Sequence, residues 1–346
     1  MRRRYHYTPR RDGPPGKKPP PLPSLDGNPQ SMLPFALPAI VVPALVLVIV
    51  WLTSGGSSAG CSGSGCTATL GLGNATVAAT ALGASSSPGP AQITPTPGPP
   101  PQITALSAAI LEMPCGRTVY ALNEHTTYPP ASLTKMMTAL VAAKKGDLSQ
   151  TVTSPIDGGA LSAATDSTVI GLTIGQQMTL RDLLYGMLMR SGSDAALAVA
   201  ATIGGSETGF VQMMNDEATA LSLADTHFTN PHGLDDPKLY TSAYDIARIG
   251  IELLRNPDLA QIVKTKEYTP DGATEPWENI DLFLSQYPGA IGVKTGYTDT
   301  AGQTLVAAAE KNGRTLVASV MHSGDEYVDA GALLDWAFSS TTPACS

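Results

Sequence analysis

The pattern of hydrophobic and polar positions changes several times along the chain, and each change predicts a different kind of segment. A run of 21 uncharged, mostly apolar residues covers positions 33–53, and a helix of that length crosses the hydrocarbon core of a bilayer. Residues 54–103 carry no charge and are mainly Ser, Gly, Thr, Ala and Pro, a composition typical of a linker. Regular strand and helix patterns follow, so we predict one folded domain over residues 104–346.

Within residues 104–346, strand patterns stand at both ends and helix patterns lie between them. The predicted strands cover residues 103–113, 118–124, 290–296 and the two segments that flank Asn312 and Gly313. The predicted helices cover residues 132–145, 179–189, 194–203 and 326–338. An Asn-Gly pair between two strands is a strong signal of a tight hairpin. Because both ends supply strands, we predict an α+β domain with one sheet built from the two ends.

Charged residues are unevenly distributed between the two ends of the chain. Residues 1–32 hold seven Lys and Arg against two Asp, a net charge of +5, among many Pro and Gly. We expect this segment to be disordered, since it has little apolar surface to bury. From Glu112 onward 14 basic residues stand against 27 acidic ones, a net charge of −13. An acidic domain argues against nucleic acid as a partner, because phosphate neutralisation requires Lys and Arg.

The basic segment precedes the apolar run, and positively charged flanks stay on the cytoplasmic side of a membrane. We therefore expect residues 1–32 to be a cytoplasmic tail, residues 33–53 a single transmembrane helix, and residues 54–103 an extracellular linker to the folded domain. A cleaved signal peptide is the alternative. Such peptides usually have a shorter basic lead and an apolar stretch of about 7–15 residues, so we favour a retained anchor.

Four cysteines, Cys61, Cys66, Cys115 and Cys345, all fall on the predicted outer side of the membrane, where disulfides persist. Cys115 lies in the predicted turn between the first two strands, and Cys345 follows the last predicted helix. Both ends of the domain are expected to meet at one sheet, so we predict a Cys115–Cys345 disulfide. A bridge between Cys61 and Cys66 that leaves the other two free is the alternative.

A serine and a lysine stand three residues apart at the start of a predicted buried helix, at Ser132 and Lys135. Residues at positions i and i+3 share one face of a helix. This spacing places the lysine amine beside the serine hydroxyl, so that a neutral amine can take the hydroxyl proton. A lone Ser-x-x-Lys pattern is expected about once by chance in a chain of this length, and therefore it has little weight alone.

Two further short motifs follow along the chain. Ser191 and Ser193 flank a glycine in the break between two predicted helices. Lys294, Thr295 and Gly296 lie on a predicted strand, where the Lys and Thr side chains can bind a carboxylate and the glycine lets a substrate backbone approach. The three motifs in this order are much more specific than any one of them.

Together these motifs resemble those of the penicillin-recognising serine enzymes, which carry S-x-x-K, S-x-N and K-T-G. Within that group the chain resembles the D-alanyl-D-alanine carboxypeptidase family of low-molecular-mass penicillin-binding proteins. The resemblance extends over about residues 105–340. The segments that carry it are residues 129–142, 183–196, 225–236, 240–249 and 287–309.

The resemblance implies a β-lactamase/transpeptidase-like fold, in which an antiparallel sheet is flanked by helices and a helical lobe lies beside it. It implies a serine-type carboxypeptidase, located outside the cell membrane, that acts on peptidoglycan stem peptides ending in D-Ala-D-Ala through an acyl-enzyme. β-Lactams are then expected as covalent inhibitors. No cofactor and no metal are implied. His227 and His232 lie in a segment that matches the family's structural loop, and no H-E-x-x-H zinc motif is present.

The resemblance also implies roles for individual residues. The implied catalytic residues are Ser132 as nucleophile, Lys135 as its base and Ser191 as a proton relay to the leaving D-alanine. The implied substrate-binding residues are Ser193, Lys294, Thr295, Gly296 and Tyr297. The backbone N–H groups of Ser132 and Tyr297 are expected to form the oxyanion hole.

One position departs from the family pattern. Ser193 stands where the second motif has Asn, and a hydroxyl reaches less far than an amide, which both donates and accepts hydrogen bonds. Two alternatives therefore stay open: a catalytically weak or silent module that binds penicillin or peptidoglycan, and a D,D-endopeptidase that uses the same residues. A class A β-lactamase is disfavoured, because no E-x-x-L-N segment lies between the second and third motifs.

Overall fold

The structure, a computed structural model, describes residues 98–343 and 345. The predicted tail (1–32), the predicted transmembrane helix (33–53) and most of the predicted linker (54–103) lie outside these residues. Within the described part, no helix is both long enough and apolar enough to span a membrane.

The described residues form an α+β domain. Its strands are β1 (Ser107–Met113), β2 (Arg117–Leu122), β3 (Thr127–Tyr128), β4 (Thr151–Thr153), β5 (Gln177–Thr179), β6 (Thr241–Ser242), β7 (Glu267–Tyr268), β8 (Trp277–Glu278), β9 (Ala290–Thr298), β10 (Gly302–Lys311) and β11 (Arg314–Ser323). Its helices are α1 (Thr134–Lys145), α2 (Gly158–Thr165), α3 (Leu180–Met189), α4 (Ser193–Gly204), α5 (Glu207–Ala220), α6 (Ala243–Arg255), α7 (Pro257–Lys264), α8 (Phe283–Gln286) and α9 (Glu326–Ser340). A 3₁₀ turn, Ala131–Leu133, leads into α1.

Five of these strands form the central sheet, in the order β2-β1-β11-β10-β9. Every neighbouring pair is antiparallel. β1 lies beside β11, so the two ends of the domain meet in the sheet as the sequence predicts. β9 is at one edge, which leaves its outer side free to face a ligand.

Helices cover both faces of this sheet. On one face Val306 and Val317 pack into a large core together with helices α1, α3 and α6. On the other face Leu305 and Leu316 pack against Leu333 and its neighbours on α9. Because both faces are buried, β1 is apolar along most of its length instead of alternating between apolar and polar residues.

Local sequence signals explain several element ends. Asn312 and Gly313 both have positive φ, 55° and 74°, and they form the two-residue turn between β10 and β11 that the Asn-Gly pair predicts. Thr179 caps α3: its side chain accepts from the Asp182 N–H, and the Asp182 side chain accepts from the Thr179 N–H, a capping box.

The Cys115–Cys345 disulfide is formed, with 5.5 Å between the two Cα atoms, as the sequence predicts. Glu112, three residues before Cys115, takes part in a buried ion pair, in which Arg314 donates to its Oε2 at 2.8 Å. Arg314 also donates to the carbonyl oxygen of Thr341 at 3.0 Å. These contacts fix the segment that follows α9 against the sheet.

The structure differs from the sequence prediction at the first motif. The pattern predicts a helix from residue 132, whereas α1 begins at Thr134 and Ser132 lies in the preceding 3₁₀ turn. Ala131 has a φ of 50°, a left-handed conformation that an α-helix cannot accommodate. The chain therefore enters α1 through a tighter turn that carries Ser132 at its centre.

Candidate active site

Ser132 and Lys135 are in direct contact. Lys135 Nζ lies 3.0 Å from Ser132 Oγ and 2.6 Å from the carbonyl oxygen of His232. The passage from the 3₁₀ turn into α1 keeps both side chains on one side of the helix, as their three-residue spacing predicts. The lysine side chain is only 1% exposed.

The environment of Lys135 disfavours a charged amine. Burial is the main cause that lowers its pKa well below the usual value, and the nearby positive charge of Lys294 lowers it further. The carboxylate of Asp194 acts in the opposite direction. A lysine whose neutral form is favoured in this way is better able to accept a proton from the adjacent hydroxyl.

A loop crosses the Ser132 turn and supplies the carbonyl that holds Lys135. Gly233 on this loop has a φ of 89°, and a Cβ there would lie 1.9 Å from the carbonyl oxygen of Ala131. Only glycine allows this approach. Asn230 holds the loop by accepting from the Gly233 N–H at 2.7 Å and donating to the Leu234 carbonyl at 2.9 Å.

The imidazole of His232 is neutral in this setting. Burial, together with the charge of Lys135, lowers its pKa to about 3. Its Nδ1 accepts from the Leu234 N–H at 3.1 Å. The sequence identified His232 as a structural residue, and it gave no sign that the backbone carbonyl of this residue contacts Lys135.

The second motif forms the facing wall. Ser191 has a φ of 60° and lies between the end of α3 and the start of α4. Ser191 and Ser193 are 4% and 3% exposed, and both line the cleft. The N–H of Ser193 donates to the Thr168 carbonyl at 2.8 Å. This bond joins the second motif to the loop that follows α2.

Asp194 reinforces the same connection. Its carboxylate accepts from the backbone N–H groups of Ile170, Gly171 and Leu172, each at 2.9 Å, and from its own neighbour Ala195 at 2.9 Å. It is completely buried. Sequence reasoning missed this residue; its position as an acidic residue in the first turn of α4 is the signal that was available.

The third motif lies on the edge strand β9, directly against the Ser132 turn. A Cβ at Gly296 would lie 3.0 Å from the Ser132 backbone nitrogen and 2.7 Å from Thr304 Oγ1. The glycine therefore lets the strand approach the turn closely. Tyr297, the next residue, is 63% exposed, and its hydroxyl donates to Asp299 at 2.9 Å.

A cleft of about 650 Å³ joins these three parts. Seven of the eight predicted site residues line it, namely Ser132, Lys135, Ser191, Ser193, Thr295, Gly296 and Tyr297. Lys294 is the eighth; its side chain is 1% exposed, and its Nζ donates to the Thr295 carbonyl at 2.7 Å. The structure thus brings the residues of all three motifs together.

Among residues 98–343 and 345, no cluster of three or more His, Cys, Asp or Glu is arranged to hold a metal ion. His227, which the sequence considers together with His232, pairs its Nδ1 with the Lys238 carbonyl at 2.8 Å. Several Ser and Thr hydroxyls and the Lys135 amine line the cleft, together with His232 and three Asp side chains. A serine hydroxyl beside an amine suits acyl transfer to a serine.

The family profile for D-alanyl-D-alanine carboxypeptidase, peptidase S11, matches residues 94–324. This chain belongs to that family. Membership agrees with the resemblance expected from the three motifs, and it accounts for the presence of Ser-x-x-Lys, Ser-Gly-Ser and Lys-Thr-Gly around one cleft.

Curated members of the D-alanyl-D-alanine carboxypeptidase family are similar to this chain over most of its folded part. A D-alanyl-D-alanine carboxypeptidase of Haemophilus influenzae is 37% identical over 251 residues, which cover 70% of this chain and 63% of the relative. One from Mycobacterium tuberculosis is 35% identical over 239 residues, 66% of this chain and 80% of the relative. The chain thus spans less than two thirds of the Haemophilus protein.

Solved structures in this family confirm the predicted fold class. The Streptomyces K15 DD-transpeptidase superposes with a TM-score of 0.66 at 30% identity, over 70% of this chain and all of that one. A D-alanyl-D-alanine carboxypeptidase from Mycobacterium tuberculosis superposes with a TM-score of 0.66 at 32% identity, over 72% of this chain and 96% of that one. The roles of individual cleft residues stay predictions.

Proposed function

We propose that this protein is a serine-type D-alanyl-D-alanine carboxypeptidase that removes the terminal D-alanine of peptidoglycan stem peptides. The observation that carries the proposal is the 3.0 Å contact between Lys135 Nζ and Ser132 Oγ inside the cleft. Family membership and the names of the relatives support the same reaction class.

Acylation begins when Lys135, as a neutral amine, takes the proton of the Ser132 hydroxyl. The serine oxygen attacks the carbonyl carbon of the penultimate D-alanine and forms a tetrahedral intermediate. Its oxyanion accepts hydrogen bonds from the backbone N–H groups of Ser132 and Tyr297. Preorganised donors of this kind each lower a barrier by roughly 3–4 kcal/mol. The close approach of Gly296 to the Ser132 nitrogen supports this assignment.

The leaving group then departs as an amine. Ser191 passes the proton from the Lys135 ammonium to the nitrogen of the terminal D-alanine, the C–N bond breaks, and an ester on Ser132 remains. Lys294 and Thr295 hold the terminal carboxylate of the substrate during this step. A water molecule then attacks the ester while Lys135 takes its proton. The C–O bond to Ser132 breaks, the shortened peptide leaves with a new carboxyl group, and Lys135 returns the proton to the Ser132 oxygen.

β-Lactams follow the first half of this reaction. Their ring amide presents a carbonyl carbon to Ser132, and their carboxylate occupies the place of the terminal carboxylate. Opening of the ring keeps the leaving nitrogen attached to the acyl group, so the ester on Ser132 persists. A covalent adduct on Ser132 is therefore the expected product.

Transpeptidation is a second candidate function. One similar structure, from Streptomyces K15, is of a protein named a DD-transpeptidase. The same acyl-enzyme leads to transfer if an amine replaces water as the acceptor. A D,D-endopeptidase also shares the acyl-enzyme and differs in the bond it cleaves.

Two measurements on the purified protein test the proposal. Release of D-alanine from diacetyl-L-lysyl-D-alanyl-D-alanine is followed over time, and intact mass is recorded after incubation with penicillin, for wild type and Ser132→Ala. We expect release and a single adduct on Ser132 in wild type, and neither in the variant. An adduct without release indicates a binding module. Cleavage of only a cross-linked dimer indicates an endopeptidase, and formation of an amide with added glycine indicates a transpeptidase.

We further propose that residues 33–53 anchor the catalytic domain outside the cell membrane as one transmembrane helix, with residues 54–103 as tether. The uncharged run of 21 residues and the basic segment before it support this topology. Extraction of membranes with alkaline carbonate, followed by N-terminal sequencing, is the test. Release of the protein by carbonate, or a mature start beyond residue 53, contradicts it.

A further inference from the structure

Part of the cleft wall is formed by a loop, residues 166–176, which joins α2 to β5. The first residues of this loop, 166–168, line the cleft. A loop lacks the regular backbone hydrogen bonds of a helix or a sheet, so its place depends on contacts with neighbouring elements. The groups that hold this loop therefore set the shape of one side of the cleft.

Asp194, in the first turn of α4, holds the middle of the same loop. Its Oδ1 accepts from the Ile170 N–H, and its Oδ2 accepts from the N–H groups of Gly171 and Leu172, each at 2.9 Å. The aspartate is completely buried, and buried N–H groups require acceptors. One carboxylate thus fastens three consecutive residues of the loop to α4.

Two backbone contacts attach the loop at the same place. The Thr168 carbonyl accepts from the Ser193 N–H at 2.8 Å, and the Leu172 carbonyl accepts from the Gly158 N–H at 2.7 Å. Gly158 lies so close that a Cβ there would be 2.4 Å from Asp194 Oδ2. The loop is therefore fixed from residue 168 to residue 172, directly after the residues that line the cleft.

The reacting side chains are held by other groups. Lys135 Nζ contacts Ser132 Oγ and the His232 carbonyl. Ser191 precedes Gly192, whose N–H donates to the Gly186 carbonyl on α3 at 3.1 Å. The hydrogen bonds of Asp194 described above go to the loop and to α4 instead. A change at Asp194 is therefore expected to move the wall and to leave the nucleophile and its base together.

We propose that Asp194 is a positioning residue: through the backbone of residues 170–172 it sets the place of the cleft-lining residues 166–168, and with it the affinity for the substrate. The inference rests on the proposed function, in which a stem peptide occupies this cleft. It assigns to Asp194 no contact with the substrate and no part in proton transfer.

The decisive variant is Asp194→Asn, which keeps the size of the side chain and one oxygen acceptor. Its NH₂ group stands where a carboxylate oxygen accepts from backbone N–H groups, so part of the loop is released. We expect KM for D-alanine release to rise about tenfold, with kcat within about threefold of wild type. The penicillin concentration that gives half-maximal acylation should rise to the same extent, with the limiting acylation rate unchanged.

Hydrogen–deuterium exchange followed by mass spectrometry reports on the loop directly. Amide exchange requires the hydrogen bond to open, so residues 170–172 should exchange faster in Asp194→Asn than in wild type. Peptides that cover the loop around Gly233 should exchange at the wild-type rate.

Asp329→Asn is the matched control. Asp329 is 3% exposed and lies in the first turn of α9, and its carboxylate accepts from the N–H groups of Thr104 and Ala105. These residues do not line the cleft. We expect this variant to have a lower thermal midpoint than wild type but wild-type KM and kcat.

Gly158→Ala is a second variant, which disturbs the carboxylate of Asp194 without removing it. The added Cβ would lie 2.4 Å from Asp194 Oδ2, and we expect KM to rise with kcat little changed. Gly159→Ala, at the next position of α2, is its control, since the nearest atom to that Cβ would be 3.4 Å away. If Asp194→Asn does not fold, the comparison of these two glycine variants decides.

The outcomes separate this inference from the proposed function. Wild type that neither releases D-alanine nor forms a penicillin adduct contradicts the proposed function. Wild type that is active, with KM unchanged in Asp194→Asn, overturns the role of Asp194 alone, even if residues 170–172 exchange faster. A fall in kcat larger than the rise in KM also overturns it, because Asp194 would then act on the reacting groups. An equal rise in KM in Asp329→Asn has the same consequence, since general loss of stability would be the cause.

Discussion

Lys135 becomes suited to act as a base through its surroundings, since a lysine in water is almost fully charged at neutral pH. Burial removes the water that stabilises the ammonium, and Lys294 adds a repulsive charge. The carbonyl of His232 and the hydroxyl of Ser132 then orient the amine. One side chain thus depends on residues from the 3₁₀ turn before α1, from β9 and from the loop that carries Gly233.

Lys135→Arg tests whether proton transfer is needed at this position. The guanidinium keeps a positive charge and hydrogen-bond donors, but it does not lose a proton in proteins. We expect D-alanine release to fall by about 10²–10⁴-fold, the usual contribution of a general base. Release is measured at pH 7 and pH 9 together with the thermal midpoint.

The control for this variant is Lys144→Arg, at the exposed end of α1, where Lys144 pairs with Glu217. We expect it to release D-alanine at the wild-type rate. Activity of Lys135→Arg within a few fold of wild type would show that this amine does not act as the base.

Ser193→Asn tests the departure from the family motif. Ser193 lines the cleft, and an amide there adds a donor and an acceptor with longer reach. We expect D-alanine release to rise roughly tenfold, since a good hydrogen bond contributes about 1–2 kcal/mol. Steady-state release is compared between the two proteins, with Ser132→Ala as the background. An equal or lower rate in the Asn variant would show that Ser193 does not limit D-alanine release.

At the scale of residues, the sequence predicts side chains that the motifs contain and misses groups brought in by loops. Ser132 and Lys135 stand three residues apart, and they remain neighbours although the chain passes from a 3₁₀ turn into α1 between them. Asp194 stands outside the three patterns, and its importance depends on the backbone N–H groups that surround it. The carbonyl of His232 has no signature in the sequence, because every residue has a carbonyl.

At the scale of elements, two glycines permit the contacts that bring the cleft walls together. Gly233 lets its loop cross the carbonyl of Ala131, and Gly296 lets β9 lie against the Ser132 turn. In each case an added Cβ would lie 3.0 Å or less from a backbone atom of the turn. The position of Ser132, the proposed nucleophile, therefore depends on close backbone packing from both sides.

Gly296→Ala is predicted to disturb this packing with a larger effect on reaction than on folding. The added Cβ would lie 2.7 Å from Thr304 Oγ1 and 3.0 Å from the Ser132 nitrogen, so strand and turn must move apart by a fraction of an ångström. Misplacement on this scale costs about tenfold or more in rate, whereas overpacking costs about 1–3 kcal/mol in stability. The rate of penicillin acylation and the thermal midpoint are measured for both proteins.

Gly159→Ala is the matched control for that variant. Gly159 lies on helix α2, and the nearest atom to its Cβ would be 3.4 Å away. Alanine favours a helix more than glycine does, so we expect equal or higher stability and unchanged acylation. An acylation rate in Gly296→Ala equal to that of wild type would show that the close approach of β9 is not needed.

Element prediction succeeds here where the signal is local. The Asn312-Gly313 hairpin and the Thr179 cap of α3 each depend on a few adjacent residues, and both are found as the sequence predicts. The two-residue strands β3 and β6 pair across a long sequence separation, and a run so short has no periodicity to detect. They form because the surrounding domain brings them together.

At the scale of the whole molecule, the central sheet joins the first strands to the last ones. β1 pairs with β11 along its full length. The central sheet is therefore complete only when a strand from the end of the domain pairs with the first strand. The sequence predicts this closure from strands at both ends and from the placement of Cys115 and Cys345. It does not predict the strand order, because an apolar strand pattern alone does not show which strands are neighbours.

The disulfide is predicted to stabilise this closure without affecting the reaction. It joins residues 230 positions apart, and a bridge that closes so long a loop is worth about 5 kcal/mol in the chain-entropy model. We expect Cys115→Ser/Cys345→Ser to lower the thermal midpoint by about 10 °C for a domain of this size. The residues that line the hollow beside Cys115 do not line the cleft, so kcat/KM at 25 °C should match wild type.

Reduction provides the internal control for this last prediction. A reductant such as tris(2-carboxyethyl)phosphine should lower the midpoint of wild type to that of the double variant and leave the variant itself unchanged, because only wild type has this bridge to lose. A midpoint in the variant within about 2 °C of oxidised wild type would show that the sheet and the Arg314–Glu112 pair hold the two ends together on their own. A loss of kcat/KM at 25 °C with the fold intact would instead show that the bridge influences the cleft through β1 and β11.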